Sequence, residues 1–248
     1  MPFARLVSFI VALLITTTGF AQHVGKPLPV WQLGYLDIHQ INTGQGNATF
    51  IVFPDGTSLL VDAGAINPID WRTNKLRNNP VKPSTARQAG EWIARYVRNA
   101  LRFQNKPVID YAIITHFHDD HMGSPLNVAK RGVGGYVLTG ITEVGEYILI
   151  RKIMDRGWPN YDYPRSLDTD SMVANYRRFL TWQIQHKALS VEQFKAGRND
   201  QITLLNHPGK YSLEVRNLAV NGEIWTGNEN ATRTLFPDLS TLKAADYP

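Results

Sequence analysis

The feature that most limits how this chain can fold is an abrupt change of chemistry near its middle. Residues 108–115, Val-Ile-Asp-Tyr-Ala-Ile-Ile-Thr, are almost continuously apolar, and the next six are His116, Phe117, His118, Asp119, Asp120 and His121. A short apolar run of this kind fits a strand buried on both faces, as in the sheet of an α/β protein. Three histidines and two aspartates directly after it are improbable as core filling, because every buried imidazole or carboxylate needs a partner. Two-residue alternation at the strand's end points His116 and His118 to one side. A turn after them lets Asp120 and His121 face a neighbouring point. The candidate metal ligands are therefore His116, His118, Asp120 and His121.

Neutral imidazoles with a carboxylate suit Zn2+, with Mn or Fe as alternatives where oxygen ligands are more numerous, and the one loop can serve two ions. Such ions make water a nucleophile near neutral pH, so no serine or cysteine is needed. Asp120 is also a candidate catalytic residue, placed to orient that water. The chain has no cysteine, which excludes disulfides and thiolate zinc sites.

The surrounding pattern alternates strand and helix. Residues 33–41 and 48–52 read as strands around the loop 42–47, whose Gly44 and Gly46 allow tight backbone geometry. Residues 50–53 and 58–61 form a hairpin around Pro54-Asp55-Gly56-Thr57, and the second strand delivers Asp62. Residues 70–83 are polar loop, and Ser84 is the expected N-cap of a helix over 85–103. There Ala89, Trp92, Ile93, Tyr96, Val97, Ala100 and Leu101 make one apolar stripe. Strand, helix and strand in this order predict an α/β sandwich. Further on, residues 136–138 and 147–154 are short apolar segments, 157–169 a loop and 172–188 a helix. Residues 201–206 and 211–220 read as a hairpin around Pro208-Gly209, and 227–248 carry no clear pattern.

At 248 residues with 43% hydrophobic content, the chain suffices for one large domain, expected over residues 30–248. Ahead of it, residues 1–21 have a signal-peptide layout. Arg5 supplies a positive charge, an apolar run follows, and Gly19 and Ala21 are small residues before a cut after Ala21. Periplasmic or secreted localisation is expected, with no membrane span after signal removal. The net charge of +5 points to solubility more than to a nucleic-acid partner.

The motif Thr115-His116-Phe117-His118-Asp119-Asp120-His121 resembles that of the metallo-β-lactamase superfamily, and Val61-Asp62-Ala63-Gly64 resembles its earlier strand-ending aspartate in kind and order. The resemblance implies an αββα sandwich, a two-zinc hydrolase site, and an Asp62 that holds the metal loop by hydrogen bonds without binding metal. Within the superfamily, Thr43-Gly44-Gln45-Gly46-Asn47-Ala48, Pro54-Asp55-Gly56 and Val61-Asp62-Ala63-Gly64 resemble the branch related to the hydrolase-like domain of bacterial DNA-uptake (competence) channel proteins. That likeness spans residues 33–124 and implies an exported protein acting on phosphodiester or nucleotide substrates.

A complete two-metal site of this superfamily also implies a bridging carboxylate and a late histidine from later strands. No strand leading to such an aspartate is expected after Val220, so the fold's second half is read as incomplete, consistent with a truncated chain. Asp155 reads as surface loop. Asp238 and Asp246 lie in unpatterned chain. His207 is either a third ligand or a turn residue before Pro208, His186 is solvated on a helix, His39 is exposed or near the site, and His23 lies beside the cleavage point. The alternative to a hydrolase is a truncated or non-catalytic relative with a binding or structural role.

Two further features bear on substrates. Between Arg72 and Lys106, Glu91 is the lone acid among many basic residues, and Arg87, Arg95, Arg98 and Arg102 line the polar face of the helix. They read either as a solvated face or as an attractor for a nucleotide or nucleic acid. The segment Trp158-Pro159-Asn160-Tyr161-Asp162-Tyr163-Pro164 reads equally as a stacking loop or as edge packing.

Overall fold

The computed structural model describes residues 25–71, 75–76, 79–126 and 130–243. The chain divides into a unit Met1–Val30 and a unit Trp31–Pro248. In the first unit only residues 25–30 are described, and they form no helix or strand; the signal-peptide expectation lies outside the described residues. Among the described residues no helix is long and apolar enough to cross a membrane.

The second unit is built on a six-stranded mixed sheet in the order β1 (Asp37–Gln40), β2 (Thr49–Val52), β3 (Ser58–Val61), β4 (Val108–Ile114), β5 (Leu149–Asp155) and β6 (Ser190–Gln193). The first two pairings are antiparallel and those from β3 to β6 are parallel. Helices α1 (Ala89–Ala100), α2 (Asp119–Met122), α3 (Gly140–Tyr147) and α4 (Ser171–Lys187) connect the parallel strands. This is the mixed α/β architecture expected from the sequence.

Alternation along the strands divides the core between the two faces of the sheet. Leu60, Ala112, Ile114 and Ile153 pack with Ile93 and Val97 of α1, Ile141 of α3 and Phe179 of α4. Leu59, Tyr111, Ile113 and Met154 point the other way, beneath Ile202, Leu204, Leu213 and Val215. Each fully buried aliphatic side chain contributes roughly 1.5–3 kcal/mol, so both faces of β4 are stabilising, which explains an apolar run that only Asp110 interrupts.

Several elements depart from expectation. Helix α1 starts at Ala89, not at residue 85, and its N-cap Gln88 makes no side-chain cap bond. Its first free N–H groups, on Gly90 and Glu91, face the buried carboxylate of Glu143 on α3, whose charge lies at the helix start. Ser84 uses its carbonyl to accept from Trp92 Nε1 at 2.9 Å. The expected hairpin over 201–220 does not form. Leu205 N donates to Thr57 Oγ1 and Asn206 N to Asp55 Oδ2, each at 2.8 Å, so side chains of the β2–β3 turn take the N–H groups that a partner strand would need.

A three-stranded antiparallel sheet follows instead: β7 (Ala219–Val220), β8 (Glu223–Trp225) and β9 (Thr232–Thr234). Asn221 (φ 50°) and Gly222 (φ 79°) close its first hairpin, as two-residue turns with positive φ do. Strands therefore do follow Val220, though none leads to an aspartate.

Candidate metal centre

The parallel strands carry the site on their C-terminal edge. Asp62 follows β3 directly, Thr115 follows β4, and the loop from His116 runs into the short helix α2. His116, His118 and Asp120 each bring one ligand atom into a group lying within 4.8 Å of one another. The rings of His116 and His118 are 4.7 Å apart and those of His116 and His121 3.8 Å apart.

His121 is fixed from behind. Its Nδ1 lies 2.7 Å from Asp62 Oδ2, and its Nε2 lies 3.6 Å from Asp120 Oδ2. With Nδ1–H donating to Asp62, Nε2 keeps its lone pair on the side of Asp120. Thr115 donates its backbone N–H to Asp62 Oδ1 at 2.9 Å, and its hydroxyl lies 2.8 Å from Asp62 Oδ2 and 3.1 Å from His116 Nδ1. Asp62 itself is buried and adopts φ 61°, an uncommon conformation for a non-glycine residue, here aiming the carboxylate along the strand edge.

The electrostatics of His116 suit ligation by imidazole. Burial, together with repulsion from His121 and His118, lowers the pKa of His116 and keeps it an uncharged donor. Burial would also lower His121, but the hydrogen bond and charge of Asp62, with the charges of Asp120 and Asp119, outweigh it and raise its pKa. Two or three imidazoles beside a carboxylate form a donor set suited to a divalent cation, so the residues present fit a metal.

The loop's backbone is clamped as firmly as its side chains. Asn47 N donates to Asp120 O, Ala63 N to His121 O and Ala65 N to Asp119 O, at 2.8, 2.8 and 2.9 Å. Such close approach needs small neighbours: a Cβ on Gly64 would lie 2.3 Å from the Asp120 carbonyl oxygen. Asp119 accepts from Asn67 N at 2.8 Å, adding a tie from the loop after β3. Thr115, Asp119 and Gly64 are the site residues to which sequence reasoning gave no role. The hydroxyl preceding the first histidine was the one local signal.

The other candidates lie elsewhere. His39 is half-buried with Nδ1 3.1 Å from the Tyr96 hydroxyl, and His186, exposed near the end of α4, stacks on Trp182. His207 is exposed, with its N–H toward Asp55 in the β2–β3 turn, at the end of the sheet opposite Asp62; it is a turn residue and no ligand. Asp155 is not surface loop. It is fully buried and accepts from Gly157 N, Trp158 N and the hydroxyls of Tyr161 and Tyr176. Tyr161 is consequently core, so the aromatic loop packs through it. Asp238 caps a 3-10 turn by accepting from Ser240 N. His23, Asp246 and Arg72 lie outside the described residues. Arg87, which precedes α1, and Arg95 on it both pair with Glu91, at 2.7 and 2.9 Å, and Arg98 donates to the Tyr147 carbonyl.

Residues 41–134 match the family model of the metallo-beta-lactamase superfamily, a stretch that contains Asp62, the histidine loop and the strands that carry them. The sheet and helices agree with that family's α/β fold. No curated protein sequence matches the chain.

Proposed function

We propose that the protein is an exported metal-dependent hydrolase of phosphodiester or nucleotide substrates, with His116, His118, Asp120 and His121 as ligands. The observation that carries this reading is the convergence of His116, His118 and Asp120 within 4.8 Å, next to a His121 held by Asp62. When bound, Zn2+, as two ions in a complete site, or Mn or Fe in its place, supplies Lewis acidity and activates water. The chain's own residues hold that chemistry in place. Asp62 and Thr115 fix the rings of His121 and His116, and the partly exposed carboxylate of Asp120 orients water at the mouth of the site. The small-residue and apolar arrangement of residues 1–21 supports export to the periplasm or medium. The likeness of residues 33–124 to the DNA-uptake channel branch supports phosphodiester substrates.

The location of His207 favours a second reading, a truncated or non-catalytic relative with a binding or structural role, because this histidine lies at the far end of the sheet from the loop. Metal analysis with a panel of phosphodiester and carboxyl esters separates the two. The hydrolase reading expects at least one equivalent of zinc and ester turnover, both lost in His118→Ala. Binding of fewer than about half an equivalent, unchanged by His118→Ala, would overturn it.

A further inference from the structure

Beside the metal loop lies a cation that feels the charge of Asp155 but forms no ion pair among the described residues. Ile114 of β4 is in register with Asp155 of β5, so the residues that follow, Thr115–His118 and Arg156, leave the same sheet edge side by side. The Arg156 guanidinium sits 5.0 Å from the ring centre of Phe117, the residue between His116 and His118. It is half-buried, and burial lowers its pKa. A cation placed so normally has a carboxylate partner. Arg156 forms no ion pair among the described residues, and the adjacent Asp155 is turned into the core, where four donors engage its oxygens.

What holds Arg156 is neutral and one-sided. Nη1 donates to the Tyr163 carbonyl at 3.2 Å and to Asn221 Oδ1 at 3.3 Å, and Asn221 Nδ2 donates back to the Arg156 carbonyl at 2.9 Å. The Asn221 carboxamide therefore clasps both ends of the residue from the β7–β8 turn. Nε and Nη2 have no protein acceptor among the described residues. These two atoms form the edge of a guanidinium that engages an oxyanion with two parallel hydrogen bonds.

The geometry points to Arg156 as the substrate-anchoring residue of the centre, binding a phosphate-type oxyanion through Nε and Nη2 next to the histidine loop. This deepens the hydrolase reading and rests on it for the assignment of that anion to a substrate. It also gives the small second sheet a role, since its first turn holds the guanidinium in place.

Inorganic phosphate titrated calorimetrically into the metal-free protein tests the site without turnover. Arg156→Met is expected to weaken phosphate binding at least about tenfold. Arg156→Lys, which keeps the charge but not the fork, should fall between. Arg151→Met removes an arginine of the same strand that is paired with Asp110, and should leave phosphate affinity unchanged. Equal affinity in wild type and Arg156→Met, or no phosphate binding by wild type, would overturn the proposal. For the zinc-loaded protein, Arg156→Met should raise KM for bis(p-nitrophenyl) phosphate more than it lowers kcat, and leave the neutral p-nitrophenyl acetate unaffected. Parallel losses on both esters, or a collapsed melting transition in Arg156→Lys as well, would mark a structural residue and refute it. Failure of the zinc-loaded wild type on both esters would sink the hydrolase reading alone, since the phosphate titration still decides Arg156.

Discussion

Glu143 is a carboxylate placed where its charge is expensive, and replacing it should reshape the stability of the protein with pH. The residue is 3% exposed; its carboxylate faces the N–H groups of Gly90 and Glu91 at the start of α1, and Oε2 has no hydrogen-bond partner among the described residues. Burial first, and the nearby charge of Glu91, raise its pKa from 4.5 to about 7, against the two N–H groups that face it and the charge of Lys130. The folded state thus binds this proton more tightly than the unfolded chain. Below pH 4.5 both states are protonated and nothing is lost; between 4.5 and 7 the folded state is progressively penalised, and above 7 the whole penalty applies. At 1.36 kcal/mol per unit, the shift amounts to roughly 3 kcal/mol. Glu143→Gln keeps an acceptor for the two N–H groups and cannot ionise. The variant should match wild type near pH 4 and exceed it by about 3 kcal/mol at pH 8, read from urea unfolding at each pH. Other titrating groups, His121 among them, are common to both proteins and drop out of the difference. Stability curves that run parallel from pH 5 to 8, within about 0.5 kcal/mol, would show that Glu143 is solvated or compensated and would refute the reasoning.

The remaining predictions concern the site and its supports. Asp62→Asn should weaken zinc affinity about 10- to 100-fold by loosening His121, measured by competition with a chromophoric chelator; an unchanged affinity would remove Asp62 from the centre. Gly64→Ala puts a methyl 2.3 Å from the Asp120 carbonyl oxygen. Relief by backbone movement should cost about 1–3 kcal/mol in urea unfolding and should lower zinc affinity too, which a change confined to packing would not do. Asp155→Ala strands two backbone N–H groups and two tyrosine hydroxyls, and should destabilise by at least about 3 kcal/mol; a loss below about 1 kcal/mol would mean that water replaces the carboxylate.

Elements whose signal is local were legible in the sequence, and those whose signal depends on a distant partner were not. The β2–β3 hairpin, β4, and helices α1 and α4 follow from turn chemistry and strong periodicity, with ends shifted by a few residues, as at α1, which begins at Ala89 against the buried Glu143. Helix α3 was missed, though Thr139 and Thr142 form a reciprocal capping box at its start. The Asn221-Gly222 turn was missed in favour of Pro208-Gly209, although Asn-Gly between apolar segments is the stronger hairpin signal. The error at 201–215 has a specific cause. Ile202, Leu204, Leu213 and Val215 alternate because one side of the segment covers the sheet. Period-two burial was read as strand pairing, but alternation reports a buried side and says nothing about where the backbone N–H groups go.

The candidate ligands were readable for the same reason that α1 was: His116, His118, Asp120 and His121 lie within one loop, so spacing alone gathers them. What makes them a centre was not readable from spacing. Asp62 and Thr115 meet through the parallel pairing of β3 with β4, the clamp by Asn47, Ala63 and Ala65 through loops far apart in sequence. Asp155 shows the converse error. Flanked by Met154 and Arg156 it looks like a strand-end carboxylate facing water, and only the fold brings Tyr161 and Tyr176 to it. That enclosure also turns the Asp155 oxygens away from their neighbour: the carboxylate's charge still favours the Arg156 cation, but its hydrogen bonds go to four other donors. Arg156 consequently keeps an open edge beside the histidine loop, a property that belongs to no residue alone and arises where β5 ends against β4.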